Sequence, residues 1–105
     1  MNDSEFEVLA DRTLKQLEML LDRCEADIDV SMVGSGVLEV EFSDRSKIVV
    51  NRHVANQELW LAGRSGGFHF RWDGALWRDT RDQRELIDAL STLVSQHAGE
   101  TIHLA

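Results

Sequence analysis

Ile28-Asp29-Val30-Ser31-Met32 and, beyond a turn at Gly34-Ser35-Gly36, Val37-Leu38-Glu39-Val40-Glu41-Phe42 set apolar residues against polar ones at every second position. A strand points successive side chains to opposite faces, so this alternation describes a sheet with one dry face and one wet face. Ser43-Asp44-Arg45-Ser46 reads as the next turn, and the pattern runs on to Arg52, giving a meander of three strands. Working outward, Glu58 to Ala62, Phe68 to Trp72 and Leu76 to Arg78 are further strands, separated by Gly63 to Gly67 and by the hairpin signal Asp73-Gly74. Helices flank the strands. The first begins near Ser4, where Ser4 and Glu7 have capping-box spacing, and buries Phe6, Leu9, Ala10, Thr13, Leu17, Leu20, Leu21 and Cys24. The second follows Asp82 and Glu85, also at capping-box spacing, buries Leu86, Ile87, Leu90, Leu93 and Val94, and stops at Gly99; Thr101 to Leu104 closes the chain. The expected fold is α+β, a two-layer sandwich with two helices on one face of a five- to six-stranded antiparallel sheet, built from residues 1–105 as one domain.

The 105 residues carry a net charge of −8, the wrong sign for gripping phosphates, so nucleic acid and anionic membranes are excluded as partners. The charge is uneven: residues 1–44 hold twelve acids and three bases, residues 45–84 four acids and eight bases. A lone cysteine, Cys24, forms no internal disulfide, and it falls on the apolar stripe of the first helix as a small buried hydrophobe. No leader-like or membrane-length apolar run is seen, which points to a cytoplasmic protein.

Wound at about 100° per residue, the first helix gathers Glu7, Asp11, Glu18, Asp22 and Glu25 into a stripe about 60° wide, provided it extends to Glu25. Asp27 and Asp29 on the first strand continue the patch, and only Lys15 lies near it. Carboxylates at near-neighbour spacing offer oxygen-only ligands to hard cations in a shallow, unselective site. A solvated helix face is the plain alternative. In Leu59-Trp60-Leu61-Ala62, parity puts either Trp60 or both leucines in the core; with the leucines inward, Trp60 lies on the open face as an interface anchor. Trp72 and Trp77 flank the Asp73-Gly74 turn as hairpin packing. His53, His69, His97 and His103 lack metal or triad spacing and read as surface or strand residues. No catalytic acid/base pair stands out.

These residues carry a resemblance. Asn51, Glu58-Leu59-Trp60-Leu61-Ala62, Gly66-Gly67-Phe68-His69-Phe70 and Trp77 resemble the frataxin signature, and Asn2-Asp3-Ser4-Glu5-Phe6, Ser46-Lys47-Ile48 and Ala98-Gly99-Glu100-Thr101 are similar to its bacterial branch. The resemblance spans essentially the whole chain. It implies a frataxin-like sandwich, weak binding of ferrous or ferric iron along Glu18, Asp22, Glu25, Asp27 and Asp29, and a role in iron-sulfur cluster assembly. The implied partners are cysteine desulfurase, met through Asp22 and Glu25, and the iron-sulfur scaffold protein, with Asn51 and Trp60 on the sheet surface that contacts partners. The implied state is a monomer, with iron-dependent oligomers as the alternative, and no enzyme.

Three departures from the family pattern stand out. Met19 and Arg23 occupy ridge positions, which implies fewer bound ions. His53 and Ala55 replace the Gln and Pro of a Q-x-P loop, and Glu7 stands where some relatives have histidine, so an all-carboxylate site that favours ferric iron is expected. Ferroxidase or iron-storage activity and a metal-independent acidic binding module remain the alternative readings. No E-x-x-H pair supports a buried di-iron centre.

Overall fold

A computed structural model describes residues 1–104. Helix α1 (Asp3–Arg23) is followed by strands β1 (Ile28–Met32), β2 (Val37–Phe42), β3 (Lys47–His53), β4 (Glu58–Gly63), β5 (Gly66–Trp72) and β6 (Trp77–Asp79), then by helix α2 (Leu86–Ala98). A short 3-10 turn, Val54–Asn56, joins β3 to β4. The strands lie in sequence order, each antiparallel to its neighbour. Two helices on one face of a six-stranded sheet is the expected architecture, and the alternation of β1 and β2 falls as read. Leu38, Val40 and Phe42 are buried, while Glu39 and Glu41 are on the other face.

Two helix starts differ from expectation. Asn2, not Ser4, caps α1: its side chain accepts from the Glu5 N–H at 2.8 Å while Glu5 accepts from the Asn2 N–H at 3.0 Å. N-x-x-E and S-x-x-E overlap at this terminus, and the earlier pair wins. Glu85, not Asp82, caps α2, its carboxylate accepting from the N–H groups of Ile87 and Asp88. Asp82 is held instead in the turn after β6, where its N–H and that of Arg81 donate to Asp79. Gly99 ends α2 as expected, in the left-handed conformation that favours glycine.

The core lies between helices and sheet. Phe6, Ala10, Leu14, Leu17 and Leu21 from α1 meet Leu38, Val40, Ile48, Val50, Leu59, Leu61 and Phe70 from the sheet. Leu14, absent from the expected stripe, is fully buried: four residues after Ala10, three before Leu17 and seven before Leu21, it falls on the same face of the helix. Trp72 and Trp77 meet edge-on at 5.5 Å across the last hairpin, as expected. The Trp77 indole also donates to Thr13 Oγ1 at 3.0 Å, tying the hairpin to α1. Cys24 is only half-buried, at the C-cap of α1.

His97 is neither a surface nor a strand residue. It is buried on α2, stacked at 4.8 Å on Phe42. The Arg64 backbone N–H donates to its Nε2 at 3.0 Å, so the neutral ring carries its proton on Nδ1 and donates to Ser46 Oγ at 2.8 Å. Ser46 passes the chain on to Asp44 at 2.5 Å, and that bond is the main reason the Asp44 carboxyl drops to about 2.

Leu14→Ala is expected to cost about 2–5 kcal/mol, the usual range for a fully buried leucine, read as a lower urea midpoint at unchanged slope. Burial first, and the Arg64 charge second, hold the His97 pKa below its ordinary 6.5. Between the folded value and 6.5 the unfolded chain binds more protons, so this contribution is complete above pH 6.5 and is lost as pH falls through the folded pKa. Melting temperature should therefore drop from pH 7.5 to 5.5, and the slope should flatten in His97→Gln.

Candidate functional site

The acidic surface is built by the end of α1, the bend after it and β1. Glu18 and Asp22 project from the last turns of the helix, Glu18 half-buried and Asp22 exposed. The helix stops at Arg23, and Cys24 takes extended backbone angles, so Glu25 lies off the helix and does not close the stripe as expected. Glu25 and Asp27 are exposed in the bend, and Asp29 is exposed on β1, the edge strand.

Asp11 leaves this set. Arg52 of β3 reaches it at 2.5 Å and also donates to Ser35 Oγ at 2.9 Å. Its stem crosses Gly36 so closely that an added Cβ there would lie 2.6 Å from Arg52 Nε. The partner of Asp11 is thus 41 residues away, where helix periodicity alone does not find it. Glu41 joins instead, directly across from Asp29 on the open face. Like charges in register repel, and Lys47 answers them: it binds Glu39 at 2.9 Å, and that contact, with the field of Glu41, raises its pKa.

Elsewhere five carboxylates are held in ion pairs. Asp11, Glu39, Asp44, Glu58 and Asp73 each hold a base. Among the described residues, Glu18, Asp22, Glu25, Asp27 and Asp29 enter no ion pair. Nor do three His, Cys, Asp or Glu side chains come together as a ready-made chelate among the described residues.

The open sheet face holds the second group. Leu59 and Leu61 are buried, which puts Trp60 outward with Asn51 opposite it on β3 and His69 opposite on β5. Trp60 is only half-exposed there, because its two faces are covered. His53 stacks on one at 4.0 Å and His69 on the other at 4.4 Å, within 7° and 4° of parallel. Glu58, 5% exposed, anchors the stack: it accepts from the Trp60 indole N–H at 2.9 Å and from Arg71 Nε at 2.9 Å. Burial pushes the Glu58 carboxyl up, but Trp60 and Arg71 more than offset it and hold it below its usual range. His53 Nδ1 is buried with no hydrogen-bond partner among the described residues. Histidine spacing carries no trace of this stack, which depends on the register of three strands.

The model of the frataxin-like domain matches residues 1–100. The chain belongs to the frataxin-like family. Among the relatives of this frataxin-like chain is the iron-sulfur cluster assembly protein CyaY of Dechloromonas aromatica (strain RCB), 59% identical over 104 residues and covering 99% of both chains. The protein of the same name from Cupriavidus metallidurans is 47% identical over 108 residues, covering 99% of this chain and 96% of that one. In structure the frataxin-like chain matches the frataxin of Psychromonas ingrahamii with a TM-score of 0.90 at 30% identity, over 100% and 99% of the two chains. A trimeric frataxin of the yeast Saccharomyces cerevisiae, complexed with ferrous, matches with a TM-score of 0.67 at 26% identity, over 91% of this chain and 87% of that one.

Glu58→Gln keeps the shape but removes the charge that holds Arg71, and is expected to cost about 1–3 kcal/mol. The Trp60 indole N–H resonance should shift with it, whereas those of Trp72 and Trp77 should stay in place.

Proposed function

We propose that the chain serves iron-sulfur cluster assembly in the cytoplasm as a non-enzymatic protein, binding iron weakly on its acidic ridge and docking through that ridge onto cysteine desulfurase. The observation that carries this reading is the density of acids: five within twelve residues, Glu18 to Asp29, enter no ion pair among the described residues, and Arg23 is the one base in that run. Unpaired like charges repel one another and are relieved by a cation or a basic surface. The names of the bacterial relatives support the pathway, and the ferrous complex of the yeast neighbour supports the metal.

Iron here is cargo. Glu18, Asp22, Glu25, Asp27 and Asp29 present oxygen donors only, a hard set that suits ferric over ferrous iron. Exposed carboxylates on a helix end, a bend and an edge strand must be drawn together by the ion, so affinity stays low and release is easy. The desulfurase then meets Asp22 and Glu25, and Asn51 with the Trp60 stack offers the scaffold protein a stiff aromatic platform. The chain acts on this complex as a regulator and iron donor, as a monomer that associates further only with iron.

A second reading, charge-only docking without metal, is favoured by the lack of a preformed three-ligand cluster among the described residues. One titration separates the two. Anaerobic ferrous iron added to isotopically labelled protein should broaden amides from Glu18 to Asp29 and leave the sheet face sharp; uniform or absent broadening at millimolar iron leaves only the charge-based role. In either case Asp22→Lys/Glu25→Lys is expected to weaken desulfurase binding by about tenfold or more at low salt, with the difference shrinking as salt screens it.

A further inference from the structure

At about 100° per residue, α1 carries a second outward stripe beside the acidic one: Val8, Arg12, Lys15 and Met19 follow at intervals of four, three and four, within about 60° of one another. Val8 is 60% exposed and Met19 54%. Among the described residues neither Arg12 nor Lys15 forms an ion pair, although Asp11 and Glu18 share their helix. Arg23 is explained by the negative end of the helix dipole and is not needed here. On the side away from the ridge the stripe borders a groove of about 330 Å³ between α1 and the β5–β6 hairpin. Leu9, Trp72 and Leu76 line the groove, with Arg12 and Gln16 from α1. Leu76, at the tip, is 42% exposed.

The spacing is the one by which a helix is read from its side, as a row of anchors at successive turns. Its content is cationic and apolar on a chain whose net charge is −8. We propose that Val8, Arg12, Lys15, Met19 and the groove at Leu76 form a second contact surface for the partner that docks on the ridge, and that this partner presents there an acidic segment with an apolar side chain that enters the groove. The inference rests on the ridge reading above. Like charges in a row attract a basic surface but let it slide, since a shift along the row by one charge restores nearly the same attraction. A parallel stripe of opposite sign sets like charges face to face when the partner shifts sideways, and Val8, Met19 and Leu76 add contacts that form only in the right register along the helix.

The test is calorimetric titration of cysteine desulfurase, with and without the scaffold protein, at one salt concentration against three double variants. Asp22→Lys/Glu25→Lys tests the ridge. Arg12→Glu/Lys15→Glu makes the chain four charges more negative, so binding to a purely basic surface must tighten; the proposal requires it to weaken, by about tenfold. Val8→Ser/Met19→Ser leaves the charge alone and should weaken binding about threefold. All six substituted side chains face water, so far-UV circular dichroism should match the parent. If either α1-stripe variant binds at full strength while the ridge variant binds weakly, the second surface is overturned and the ridge stands. If the ridge variant also binds at full strength, the ridge reading fails and this surface falls with it.

Discussion

A sheet covered by helices on one side only makes each strand sort its residues by parity, and most other features of this protein depend on that sorting. Once Leu59 and Leu61 turn inward, Trp60 has to face out; once Leu38, Val40 and Phe42 do, Glu39 and Glu41 have to. The register between strands then decides what meets on the open face. Asp29 opposes Glu41 at one edge, and Trp60 falls between the strands that carry His53 and His69 at the centre. A slip by one residue in any hairpin would bury charge and expose the core, so the register is held strongly.

Much of this was legible in the residues. The alternation from Ile28 to Phe42, the Asp73-Gly74 hairpin and the stop at Gly99 each carry a local physical signature, and the sheet and both helices follow from them. Helix starts were less legible, because Asn2 and Ser4 offer equivalent capping boxes and Glu85 is an uncommon N-cap that binds two N–H groups with one carboxylate. The end of α1 was hidden too, since neither glycine nor proline marks the bend after Arg23. Of the ridge, the run from Glu18 to Asp29 was readable, but the loss of Asp11 to Arg52 and the arrival of Glu41 come from contacts between distant elements. The aromatic stack is of the same kind: Trp60 stands out in its own strand, but His53 and His69 join it only when the sheet aligns them.

The two surfaces differ in how their charges are used. On the sheet face, Glu58 is buried and fully engaged, and its bonds to Trp60 and Arg71 make the surface rigid. On the ridge Asp22, Glu25, Asp27 and Asp29 are open to water, and none of the five ridge acids enters an ion pair among the described residues. A rigid aromatic platform suits recognition by shape, whereas unpaired carboxylates suit recognition by charge.

The Trp77-to-Thr13 bond, which closes a loop of 64 residues, bears on how the chain leaves the ribosome. The amphipathic first helix emerges long before the last hairpin that covers it. At about 5–20 residues per second, that interval lasts roughly 3–13 seconds. During it, Phe6, Leu14, Leu17 and Leu21 have only the early strands to lie against, and a helix with an uncovered apolar face invites aggregation. The carboxylates on its outer side then serve a purpose that precedes any partner: they keep the newborn segment dispersed until the sheet is complete.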